Sequence, residues 1–131
     1  MNYMLSLQCT SINYGDINLM SNVSMINYTT RDFVSKTELE LFISKQDQIY
    51  TPEVVNEFTK AGMLRRVVTQ IWNREGAFRV GIIFEYKDQK SYEKCQVLIE
   101  KYVLEKFKDF TTKAVGSRGI VVHEFYSKDF I

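Results

Sequence analysis

Lys60-Ala61-Gly62-Met63-Leu64-Arg65-Arg66-Val67-Val68-Thr69-Gln70-Ile71-Trp72 is the stretch that decides the fold. Apolar spacing alone would let the helix before Gly62 run on to Trp72. Two local signals oppose that. Gly62 stands where a helix places its left-handed C′ residue, with Met63 as the apolar residue after it. Val67 to Trp72 is rich in β-branched and aromatic side chains, which suit a pleated strand. We therefore end the helix at Ala61 and expect a strand from Leu64 to Trp72.

Working upstream, Thr51 is a capping residue, Pro52 fits the first helical position and Glu53 favours the positive end of the helix dipole. This helix should bury Val54, Val55, Phe58 and Ala61. An earlier helix starts at Ser35-Lys36-Thr37-Glu38, a capping box, with Val34 and Leu39 placed to close a hydrophobic staple. It should run from Lys36 to Gln46 and bury Leu39, Phe42 and Ile43.

Downstream, Asn73-Arg74-Glu75-Gly76 reads as a hairpin turn. Phe78, Val80, Ile82, Phe84 and Tyr86 then alternate with Arg79, Gly81, Ile83 and Glu85, giving a strand with one apolar face. A helix from Gln89 to Thr112 carries Tyr92, Cys95, Ile99, Val103, Phe107 and Phe110 on one stripe, with Tyr102 at its edge. Val97 and Leu104 fall off that stripe, among Glu93, Glu100 and Lys108. Gly116-Ser117-Arg118-Gly119 reads as a break before a last strand, Ile120 to Tyr126. The first strand of the sheet is either Val23–Tyr28 or Tyr3–Thr10, the latter followed by the turn Asn13-Tyr14-Gly15-Asp16.

The resulting order is a ferredoxin-like βαββαβ, an α+β domain with a four-stranded antiparallel sheet and its helices on one face. A chain of 131 residues suits one domain. We divide it into an N-terminal hairpin or arm, residues 1–30, and a single α+β domain, residues 31–131. Residues 1–30 hold one charged side chain, Asp16, whereas a free surface normally carries more. The arm packs either on its own domain or on another chain.

Charge excludes the simplest partners. Seventeen basic residues against sixteen acidic give a net of +1, too little for binding driven by bulk charge to nucleic acid or a membrane. No apolar run reaches a membrane span, and no Lys or Arg precedes Arg31 to form the charged start of a signal peptide. Cys9 and Cys95 are far apart and read as free thiols of a reducing compartment, which points to the cytoplasm, of a host cell if the source is viral, or to a virion. Without a secretion signal, the sequons at Asn22 and Asn27 are chance matches.

Few residues carry chemistry. His123 is the single histidine, so multi-histidine metal sites are not available. Cys95 with His123 would make a nucleophile and base, but Cys95 sits on the apolar stripe. The Gly116–Gly119 stretch lacks phosphate-loop spacing. The strand Phe78–Phe84 lacks outward aromatics for stacking bases as RNA-recognition modules do. No pair of carboxylates stands out. We expect no enzyme activity, no cofactor and no metal.

The remaining features are contact surfaces. Val97 and Leu104 on the outer side of the last helix, Ile83 on the outer sheet face, the apolar end Phe130-Ile131, and Tyr3, Leu5 and Leu7 of the arm all suggest burial against another chain. The leading expectation is a non-enzymatic interaction or assembly protein that forms a homo-oligomer. Small size, one proline and richness in Lys, Ile, Tyr and Phe fit an AT-rich viral or bacteriophage genome, and hence a virion neck or tail subunit or an inhibitor of a host protein. Two alternatives stand beside it: nucleic-acid binding through Arg65, Arg66, Arg74, Arg79 and Arg118, and a small enzyme using the cleft between sheet and helices.

Overall fold

The computed structural model describes residues 23–110 and 112–130. Its elements are β1 (Met25–Phe33), α1 (Lys36–Ser44), α2 (Gln46–Ile49), α3 (Pro52–Ala61), β2 (Met63–Gln70), β3 (Phe78–Tyr86), α4 (Gln89–Tyr102), α5 (Leu104–Phe107) and β4 (Thr112–Ile120), followed by a 3-10 turn (Ser127–Phe130). The strands form one antiparallel sheet in the order β2-β3-β1-β4, with the helices packed on one face. This is the ferredoxin-like βαββαβ arrangement. β1 starts at Met25, so the sheet draws in residues from before position 31.

Gly62 ends α3 as expected. Its φ is 107°, and its N–H donates to the Thr59 carbonyl at 3.1 Å, closing the left-handed cap. Both helix starts also hold. The Glu38 N–H donates to Ser35 Oγ at 3.2 Å, and the Val54 N–H donates to Thr51 Oγ1 at 3.3 Å. A third cap, Asp88, accepts from the Ser91 N–H at 2.7 Å and starts α4.

On β3, Val80, Ile82, Phe84 and Tyr86 are buried as the alternation requires, whereas Phe78, at the start of the strand, is exposed. They pack with Leu39 and Phe42 of α1, Ile49 of α2, Phe58 of α3, Cys95 of α4 and Phe107 of α5. Phe42 is the hub, with ring centroids 5.1 Å from Phe33 and 4.8 Å from Phe107. The Tyr102 hydroxyl donates to Glu57 Oε2 and ties α4 to α3.

Several expectations need correction. The long helix ends at Tyr102, not Thr112. Val103, at φ −114°, is the C-cap of α4 and remains buried, and a separate short helix, Leu104–Phe107, follows it. The apolar stripe outlasts the helix because Val103 and Phe107 still pack inward through the broken turn.

The last strand is Thr112–Ile120, not Ile120–Tyr126, and Gly116-Ser117-Arg118-Gly119 lies inside it. Among the described residues β4 is an edge strand that pairs with β1 alone, and most of its side chains are exposed. Gly116 sits above Thr29, whose Oγ1 would stand 3.5 Å from a β-carbon there. His123 therefore lies beyond the sheet, 6.4 Å from Phe125 ring to ring.

Smaller corrections concern exposure. Val34 is exposed, so no hydrophobic staple closes over Leu39, and Ile43 and Val55 face outward rather than into the core. β2 begins at Met63 and stops at Gln70, leaving Trp72 outside it and exposed. The first sheet strand is the later of the two candidates, extended to Phe33. The Tyr3–Thr10 strand lies outside the described residues.

Candidate functional site

The two faces of the sheet differ in kind. The outer face, away from the helices, carries a cross-strand row in which Val67 of β2 stands opposite Ile83 of β3, and Ile83 opposite Tyr28 of β1. Tyr28 is exposed, and Val67 and Ile83 are half-buried. Ile71 extends the patch, with its Cδ1 lying beside Gly81. Charge borders this row. Arg79 grips Asp32 with two hydrogen bonds, Nε to Oδ1 at 2.5 Å and Nη2 to Oδ2 at 3.1 Å, and Arg65 pairs with Glu85 at 3.9 Å. The Arg79 fork holds the Asp32 carboxyl below its usual range and raises Arg79 in turn.

The five arginines do not share one surface. Arg65 and Arg79 lie on the outer face. Arg66 and Arg118 lie on the helix side, in register with Phe84 and Asn27 respectively, and Arg74 is in the hairpin. Arg118 stands 5.4 Å from the Tyr92 ring centroid.

A register shift between Met63 and Arg65 separates the two neighbouring arginines. Met63 faces Tyr86 and Arg65 faces Glu85, so Leu64 is an extra residue in β2. Arg66 thereby turns under the helices. Its guanidinium lies 4.0 Å over the Tyr50 ring, and Nη2 donates to Gln46 Oε1 at 2.8 Å. Arg31, also on the inner face, donates from Nη1 to Thr112 Oγ1 at 3.0 Å. Burial lowers the pKa of both arginines and raises that of Tyr50, their shared neighbour. Sequence reasoning placed Arg66 in a surface patch. The bulge that turns it inward has no signal in the residues themselves.

Of the expected contact residues, Val97 and Leu104 are exposed on the helix side, and Ile83 is in the outer-face row. Phe130 falls in the 3-10 turn, whereas Tyr3, Leu5, Leu7 and Ile131 lie outside the described residues. Cys95 is fully buried, and desolvation pushes its thiol up to about 11. Among the described residues no three His, Cys, Asp or Glu gather to hold a metal, and no helix is long and apolar enough to cross a membrane.

Residues 22–121 match the model of a family described as a domain of unknown function, DUF6974. The chain belongs to this family. Two solved structures resemble this DUF6974 domain, each described as a dimeric ferredoxin-like protein from an uncultured marine organism. One is 36% identical with a TM-score of 0.72, over 79% of this chain and 98% of that one. The other is 30% identical with a TM-score of 0.68, over 79% and 99%. More remote is a Nitrosomonas europaea protein named "Putative antibiotic biosynthesis monooxygenase", at 13% identity and a TM-score of 0.56 over 77% and 93%. That likeness is one of fold alone. No curated protein sequence matches the chain.

Proposed function

We propose that this DUF6974 domain is a self-associating interaction module whose outer sheet face, centred on Val67, Ile83 and Tyr28, meets the same face of a second copy. The observation that carries this reading is the apolar row itself. It crosses the middle of a sheet face opposite the helices, and ion pairs at Arg79–Asp32 and Arg65–Glu85 border it. An apolar centre with a charged rim is the anatomy of a protein interface. The dimeric state described for the two similar marine proteins supports the same reading. Val97 and Leu104 form a second, smaller apolar spot for a further contact.

The module works by binding, without chemistry of its own. Supporting this, the thiol of Cys95 is sealed in the core, away from the chain beyond β4 that holds His123. The narrower role of a virion subunit or host-protein inhibitor is carried by size and composition alone.

Light scattering on the purified chain tests the association. The expected mass is twice the 15.4 kDa of one chain. Ile83→Glu should return it to one chain with an unchanged far-UV circular dichroism spectrum. A wild-type protein that stays monomeric at high concentration overturns the reading.

A further inference from the structure

Arg66 is a partly buried cation with no counter-charge among the described residues. Among the described residues its buried Nε has no hydrogen-bond partner, and Nη2 donates to the neutral Gln46. The ion pairs among the described residues are Arg65–Glu85, Arg79–Asp32 and Lys108–Glu105, so no carboxylate there reaches Arg66. Arg31, on the same face of the sheet, adds a second guanidinium held by the neutral Thr112. The guanidinium is met by the ring faces of Tyr50 and Phe84 and by the Gln46 side-chain oxygen, all of them neutral. Burying a charge is costly unless an opposite charge pairs with it. The balance favours an anion beside Arg66.

The surroundings indicate which kind. Arg66 and Tyr50 line a cavity of about 220 Å³ between α3 and the bulged start of β2. Its other walls include Val55, Phe58, Met63 and Leu64. The polar groups that share it are already engaged: Thr59 Oγ1 donates to the Val55 carbonyl at 2.8 Å, and Arg65 pairs with Glu85. Ligand pockets for drug-sized molecules start at about 300 Å³, so this one suits a smaller body. We propose that the cavity binds a small organic monocarboxylate, its carboxylate on the Arg66 guanidinium and its apolar body against Val55, Phe58, Met63 and Leu64. The bulge at Leu64 is the device that turns Arg66 to this task. This binding is independent of the outer sheet face.

Titration calorimetry of the full chain with hexanoate and benzoate, and with hexanamide and benzamide as uncharged counterparts, tests the proposal. The acids should bind saturably and the amides about tenfold more weakly or worse. Arg66→Gln should erase the difference between acid and amide, whereas Arg74→Gln, in the hairpin, should keep it. Val55→Trp, at an exposed position, should weaken acid binding by filling the cavity. If Arg66→Gln does not fold, the acid–amide comparison and Val55→Trp decide. Equal binding of acid and amide, wild-type affinity in Arg66→Gln or Val55→Trp, or no binding at millimolar acid overturns the proposal. Light scattering of the same samples reads self-association separately.

Discussion

Gly62 and Ser91 stand so close that residue 62 has no room for a β-carbon: one placed there would fall inside the van der Waals envelope of the Ser91 side chain. The contact joins the end of α3 to the first turn of α4, and the Lys87 N–H seals it by donating to the Gly62 carbonyl at 3.0 Å. Gly62→Ala therefore meets two penalties. The left-handed backbone costs about 1–2 kcal/mol, and the overpacking costs about 1–3 kcal/mol more. Urea denaturation should show a loss of about 2–5 kcal/mol. In a Ser91→Gly background the same change should cost only the backbone share, a coupling that a double-mutant cycle reads directly.

Cys95 should behave as a core atom. In a Cys9→Ser variant, a thiol reagent at pH 8 should label the native protein only as fast as it opens, and should label it at once in denaturant. The pH dependence has a definite sign. The folded thiol ionises near 11, above its ordinary 9.0, so the folded state keeps its proton where the unfolded chain has lost one. Its contribution is complete below 9.0 and falls as pH rises from there toward 11. Cys95→Ala should flatten that alkaline limb.

At the acid end, Asp88 and Asp32 act in the opposite direction. Asp88 is held below the ordinary 3.8 by hydrogen bonds from the Ser91 hydroxyl and the Ser91 N–H, and Asp32 by the Arg79 fork. Depressed carboxylates contribute fully above 3.8 and lose that contribution as pH falls through their folded values. Asp88→Asn keeps a capping side chain but removes the titration. Stability measured from pH 6 down to pH 2 should fall less steeply in Asp88→Asn than in the wild type.

Two sets of surface changes separate the contact faces. Ile83→Glu and the pair Val97→Glu with Leu104→Glu should all fold, because none of the three side chains is buried in the core. Ile83→Glu should lower the mass in light scattering. The helix pair should leave a sheet-face dimer intact and lower the mass only of species larger than a dimer.

The parts of the fold legible in the sequence were those governed by local chemistry. Ser35, Thr51 and Gly62 bound the first helices through hydrogen bonds within a few residues, and the period of β3 states its buried face outright. β4 was misread because glycines normally interrupt structure, and only the register with β1 shows that Gly116 and Gly119 continue a strand. The end of α4 was misread because the apolar period runs through a broken turn at Val103. In the candidate sites, the parity of β3 sent Ile83 outward correctly. Arg66 was missed because its direction depends on pairing with β3, which no local pattern records.

The extra residue in β2 makes the position of a charge a matter of counting. If Leu64 were paired with Glu85 in regular register, Arg65 would stand opposite Phe84 and turn toward the helices, and Arg66 would stand opposite Ile83 and turn toward solvent. Composition, net charge and hydropathy would scarcely register the change. Among DUF6974 chains, one that lacked Leu64 would keep both arginines on their present sides by pairing without the bulge, so the side of the sheet follows from the register with β3 and not from the distance to Met63.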